Sequence, residues 1–183
     1  MKTLLIIAAG GFIFSLIAHL ATFLGINPQA VFPPIWLLHI GIFIVWIPTV
    51  FLLRKIFKKN GRQGFWKAAV GNAPRWMKAL CLFFFVYAFF NFFITVLVLN
   101  QGGVPSMIHG KKVLQSHGEV IRELTDKEFL RYQVYLFRAF SGHWMFFYIV
   151  SMTILYSHQS TREKDHVRIA PRPDDYTHKE AQP

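Results

Sequence analysis

Three histidines, His19, His39 and His143, fall inside long uncharged runs of this 183-residue chain. Asn91 lies in a fourth such run, and Ser15 precedes His19 by one helical turn. A polar side chain stranded in hydrocarbon is costly, so each of these is a candidate site. Three chemistries suit them. Neutral imidazoles can hydrogen-bond across helices and fix a bundle. Two imidazoles on facing helices can hold the iron of a b-type haem, or three can bind a transition metal such as Zn²⁺ or Cu²⁺. Imidazoles that titrate near neutral pH could also line a path for protons or a small molecule, with Asn91 beside them. Spacing alone selects no cofactor: no two of the three histidines share a helix at metal-ligand spacing, and no carboxylate lies within the runs.

The runs that must position these residues span about 4–24, 35–53, 79–99 and 139–157, and none contains Asp, Glu, Lys or Arg. Each is long enough to cross a hydrocarbon core about 30 Å thick. The composition agrees: 54% hydrophobic, 17% aromatic with twenty Phe, and 16% charged, where a soluble domain carries about 25% charge. Pro48 sits inside the second run, where a membrane helix tolerates it with a bend. The first run reads as an uncleaved span, because His19 stands where a small-x-small cleavage site would need a small residue.

The net charge of +11 would point to nucleic acid if it were spread over one surface. It is not. Segment 54–78 holds Arg54, Lys55, Lys58, Lys59, Arg62, Lys67, Arg75 and Lys78 with no acid, whereas 25–34 is uncharged. The positive-inside rule makes 54–78 a cytoplasmic loop, puts both termini in the cytoplasm and sends 25–34 and 100–139 outward. Interleaved Phe57, Phe65, Trp66 and Trp76 suit contact with anionic headgroups, and nucleic acid drops out as a partner. With this orientation the three histidines share one depth, about five residues inside the outer face.

The outward segment 100–139 is patterned. Asn100-Gln101-Gly102-Gly103 ends the third span, and Pro105 keeps the chain extended. His109-Gly110 and His117-Gly118 read as turns, and the runs flanking the second predict a β-hairpin. Thr125 and Glu128 form a capping box that starts a helix over about 126–157. Its outer part, with an apolar stripe at Phe129, Tyr132, Leu136, Phe140, His143, Phe147 and Val150, makes a stalk for the hairpin. Residues 158–183 read as a polar cytoplasmic tail. The fold class is therefore an all-α membrane protein, a four-helix bundle (1–157) with a small extracytoplasmic hairpin on a protruding fourth helix.

The stretches Gly110-Lys111-Lys112-Val113-Leu114, Ser116-His117-Gly118, Val120-Ile121-Arg122-Glu123-Leu124-Thr125 and Phe140-Ser141-Gly142-His143-Trp144-Met145 carry a resemblance, as do Phe65-Trp66-Lys67-Ala68 and Pro74-Arg75-Trp76-Met77. Over about half its length the chain resembles a group of bacterial four-span membrane proteins of unassigned function. The resemblance implies a bacterial cytoplasmic membrane and no particular activity.

The sequence contains no P-loop, HExxH, GxSxG or GxGxxG pattern, and its one cysteine, Cys81, excludes an intramolecular disulfide and a CxxC pair. These features favour a non-enzymatic accessory, scaffold or interaction subunit. Its partner surface would be the hairpin and stalk, at His117, Gly118, Arg122, Phe129 and Tyr132, facing another protein or a second copy. A haem- or metal-binding redox protein built on the histidine layer is the alternative, and permeation a third.

Overall fold

The computed structural model describes residues 1–169, with side chains through Lys164. Helix α1 covers Lys2–Phe23, a short α2 covers Pro28–Val31, and a 3-10 turn over Pro33–Trp36 leads into α3, Leu37–Val70. Helix α4, Arg75–Phe93, continues into a π-helical turn, Ile94–Leu99. Strands β1 (Val104–Ile108), β2 (Lys111–Ser116) and β3 (Glu119–Glu123) precede α5, Asp126–Ile169. Four of the helices are long and apolar enough to cross a membrane.

Helix α5 is the axle of the bundle. In its most apolar stretch 61% of residues are buried, against 22% in α1 and 17% in each of the other two long helices. On one side Phe137, Trp144 and Tyr148 pack with Ala8 and Ala18 of α1 and Ile42 and Val45 of α3. On another, Met145 and Ile149 pack with Phe84 of α4. Because three helices lean on α5, its buried surface is wider than one stripe. Phe137, Trp144 and Tyr148 take the interior, while Phe140 of the expected stripe remains 37% exposed.

Small residues set how closely the helices approach. Ala8, Gly11, Ser15, His19 and Thr22 form the buried face of α1. The Tyr148 ring fills the space where a side chain on Gly11 would stand, and its hydroxyl does the same at Gly41 of α3. That hydroxyl donates to Leu38 O at 2.6 Å. Tyr148 therefore occupies a slot that only glycine leaves open on both neighbours.

Three features differ from the sequence reading. The connecting segment 54–78 is largely helical: a break at Gly61 (φ 63°, ψ −175°) divides α3 into two helices, the second of which runs to Val70. Lys and Arg are good helix formers, so the basic composition does not oppose this. The helix expected to end at Ser157 runs on to Ile169, since no breaker intervenes before Pro171. Asn72 holds this extension through Thr161 Oγ1 at 2.8 Å and Lys164 Nζ at 2.9 Å. The remainder of the expected tail, 170–183, lies outside the described residues.

The expected hairpin is the second half of a three-stranded antiparallel meander, β1-β2-β3. Val104–Ile108 adds an edge strand despite Pro105, and an edge is where a sheet accepts proline. Both His-Gly pairs are the two-residue turns expected. His109 and Gly110 have φ of 48° and 78°, and His117 and Gly118 have 52° and 88°, the left-handed pair that a type I′ hairpin requires.

Replacing Gly11 by valine should lower the thermal stability of the detergent-solubilised protein by about 1–3 kcal/mol, an overpacking cost. Gly10→Val is the control, because nothing lies within 4 Å of a side chain placed there. Equal stability of the two variants would refute the Tyr148 slot.

Candidate functional site

Six polar residues, His19, Thr22, Tyr87, Asn91, Arg138 and Ser141, form one hydrogen-bonded network where α1, α4 and α5 meet, toward the sheet end of the bundle. His19 is 2% exposed and uses both ring nitrogens. Nδ1 lies 2.8 Å from Ser141 Oγ on α5, and Nε2 lies 2.5 Å from the Tyr87 hydroxyl on α4. The partners assign the protons. Ser141 Oγ donates to Arg138 O at 3.3 Å, so it accepts from His19 Nδ1–H, and Nε2 accepts from Tyr87 O–H.

Arg138 anchors the same layer. Its Nε donates to Thr22 Oγ1 at 3.0 Å and its Nη2 to Thr22 O at 2.6 Å. Thr22 Oγ1 donates in turn to His19 O at 2.6 Å. The guanidinium carbon stands 4.2 Å from the centre of the Phe23 ring, a cation–π contact. Asn91 Nδ2 donates to Arg138 O at 2.9 Å and sits against Gly142, where a larger residue would displace it. The network thus ties α1 to α5 twice and α4 to both. Its chain of donors runs from Tyr87 through His19 and Ser141 and ends at the Arg138 carbonyl.

The three histidines expected at one depth have separate surroundings. His143 Nδ1 lies 3.0 Å from Ala139 O on its own helix, and the ring meets Phe92 edge-on. His39 stands among the rings of Trp36, Phe43 and Trp144. The imidazoles share no neighbour among these contacts. Among the described residues no group of three or more His, Cys, Asp or Glu is arranged to hold a metal ion. Two polar atoms near His39 lack partners among the described residues: its own Nδ1 and the indole nitrogen of Trp144. Ser15 Oγ is likewise buried without one.

Of the residues expected to meet a partner, three hold the sheet onto α5 instead of facing away from it. Tyr132 is buried with Leu114 and Leu124. Arg122 pairs with Glu128 at 2.9 Å and donates to the Tyr132 hydroxyl at 3.2 Å. Phe129 lies beneath the Lys112 ammonium at 5.7 Å. The capping box forms as read, with Thr125 N to Glu128 Oε2 at 2.9 Å and Glu128 N to Thr125 Oγ1 at 3.3 Å. Lys111 pairs with Glu123 across the sheet, and that hydrogen-bonded carboxylate raises the lysine pKa above its ordinary value. His117 and Gly118 remain exposed at the β2–β3 turn, and Val104, Met107, Val120 and Ile121 add exposed apolar surface.

At the opposite end of α4, Arg54, Lys55, Lys58, Lys59, Arg62, Lys67 and Arg75 are exposed, and Lys78 is half-buried with its ammonium on Gly71 O at 3.2 Å. Sequence reasoning did not single out Thr22, Tyr87, Ser141 or Arg138 as site residues. Their signal was positional: Thr22 follows the Gly11-Ser15-His19 face by less than a turn, and Ser141 follows Arg138 by three residues.

Tyr87→Phe should cost about 1 kcal/mol by stranding His19 Nε2. In a double-mutant cycle with His19→Leu, thermal unfolding should give a coupling of about 0.5–2 kcal/mol. Strict additivity would show that the two side chains do not bond. No protein family, no curated protein and no solved structure matches the chain.

Proposed function

We propose that this chain is a non-enzymatic accessory or interaction subunit of the bacterial cytoplasmic membrane, presenting its three-stranded sheet to another protein or a second copy outside the cell. One observation carries the reading: the sheet is fixed to the head of the most buried helix. Arg122–Glu128, Lys112–Asp126 at 2.9 Å and the Leu114–Tyr132 cluster bind it there. A two- or three-stranded ribbon is marginal by itself. Here it is mounted on a helix that runs through the bundle core, so a contact at the sheet bears directly on the packing of all four helices.

The orientation belongs to the same proposal. Eight cations lie at the end away from the sheet, beside exposed Phe57, Trp66 and Trp76. Cations with aromatics suit the cytoplasmic headgroup belt, where anionic lipids attract them. Both termini then lie in the cytoplasm. The likeness to bacterial four-span proteins supports the bacterial setting. The contact surface is the His117-Gly118 turn with Val104, Met107, Val120 and Ile121, the exposed part of the sheet.

A second reading rests on one observation, the unpartnered His39 Nδ1 beside the unpartnered Trp144 indole. A haem or a transition metal reached by His39 would give the purified protein an absorption band that His39→Ala abolishes. That result would replace the first reading.

In a Cys81→Ser background, a membrane-impermeant maleimide should label Ser116→Cys in intact cells and leave Lys59→Cys unlabelled. A photo-crosslinking residue at Ile121 should then give one discrete adduct, a doubled chain or a single partner, and one placed at Phe14 should not. Labelling in the reverse pattern would overturn the orientation. Absence of any adduct from Ile121, Val120 and Met107 alike would overturn the interaction role.

A further inference from the structure

Lys127, Arg131 and Arg138 lie within about 40° of one another around α5, at 100° per residue. They line one cleft of about 590 Å³ between the end of α1 and the head of α5. Phe23, Leu130 and Tyr135 supply its apolar wall, and no carboxylate lines it. Like charges four residues apart on a helix repel. The neighbouring acids do not relieve them: Asp126 is paired with Lys112 and Glu128 with Arg122, both on the sheet side. Lys127, Arg131 and Arg138 form no ion pair among the described residues.

Arg138 is already oriented. Its Nε and Nη2 each give a hydrogen to Thr22, and a guanidinium has five, so three N–H groups remain. An oriented guanidinium with donors to spare matches a phosphate oxyanion. The cleft also lies where the apolar run 4–24 ends and the run 139–157 begins, which is headgroup depth for a chain that crosses a bilayer. Phe23 and Leu130 at its wall are 56% and 55% exposed, surface that acyl chains would cover.

We propose that this cleft binds the phosphate of an anionic phospholipid, with the glycerol and upper acyl carbons against Phe23 and Leu130. This site is distinct from the basic segment at the other end of the molecule. It holds one lipid between α1 and α5, next to the network that joins those helices.

Native mass spectrometry of the full chain released from detergent tests this, with phosphatidylglycerol, phosphatidylcholine or inorganic phosphate added. Wild type should hold its first phosphatidylglycerol about tenfold more tightly than phosphatidylcholine. Lys127→Gln with Arg131→Gln should remove that preference, as expected for two cations near a headgroup. Neither side chain makes a hydrogen bond among the described residues, so the variant should keep the wild-type melting temperature without added lipid. Lys58→Gln with Lys59→Gln should leave the first lipid in place. The proposal fails if the Lys127/Arg131 variant keeps the preference or the Lys58/Lys59 variant loses it. Inorganic phosphate should not compete. If it binds alone and the Lys127/Arg131 variant abolishes that binding, a soluble phosphate replaces the lipid as occupant.

Discussion

A buried imidazole in an apolar bundle must satisfy two nitrogens, and that requirement organises the sheet end of this protein. His19 meets it with Ser141 on one side and Tyr87 on the other, so a single ring fastens three helices. Leaving either nitrogen bare would forfeit the bond and retain the desolvation cost. The same logic extends to Arg138, a cation made tolerable at the helix boundary by the Thr22 hydroxyl and carbonyl and by the Phe23 face. Helix α1 ends at Phe23, so its last carbonyls need donors from outside the helix. Arg138 provides one and thereby fixes how α5 passes the end of α1.

Below that layer the bundle depends on shape. Tyr148 uses the absence of side chains at Gly11 and Gly41 to reach Leu38 O across the interface. Above it, ion pairs and the capping box join the sheet to the first turns of α5. The consequence is mechanical. A load on the sheet passes into α5, and α5 cannot shift without disturbing the contacts of Tyr148 or His19. The outer faces of α1, α3 and α4 carry large exposed apolar side chains such as Ile6, Phe43 and Leu82. A surface of that kind fits a bilayer, and it leaves the sheet as the ordered element that projects from the helices.

Much of this was legible in the residues. The four apolar runs, the two His-Gly turns and the Thr125–Glu128 box depend on local chemistry, and local chemistry can be read along a chain. The four-residue spacing of Gly11, Ser15 and His19, a small-residue face suited to close helix contact, is local in the same way. What escaped depends on who sits opposite. Nothing local says that Ser141 faces His19, or that Arg138 turns toward Thr22, because those pairs lie 122 and 116 residues apart. The depth of three histidines was inferred from span ends, but depth does not fix rotation about a helix. His39 and His143 consequently meet aromatic rings and a carbonyl instead of each other. The edge strand at Val104–Ile108 hid behind Pro105, whose meaning changes between an interior strand and an edge. The helical course of 54–70 was masked because charge pattern carries topology while leaving conformation open.

His19 binds three helices together and stands apart from His39 and His143. Magic-angle-spinning NMR on protein labelled at histidine and tyrosine, reconstituted in lipid, tests this most directly. Cross-peaks should join the His19 and Tyr87 rings, and none should join His19 to the imidazoles of His39 or His143. Imidazole-to-imidazole cross-peaks linking two or three of these residues would contradict it.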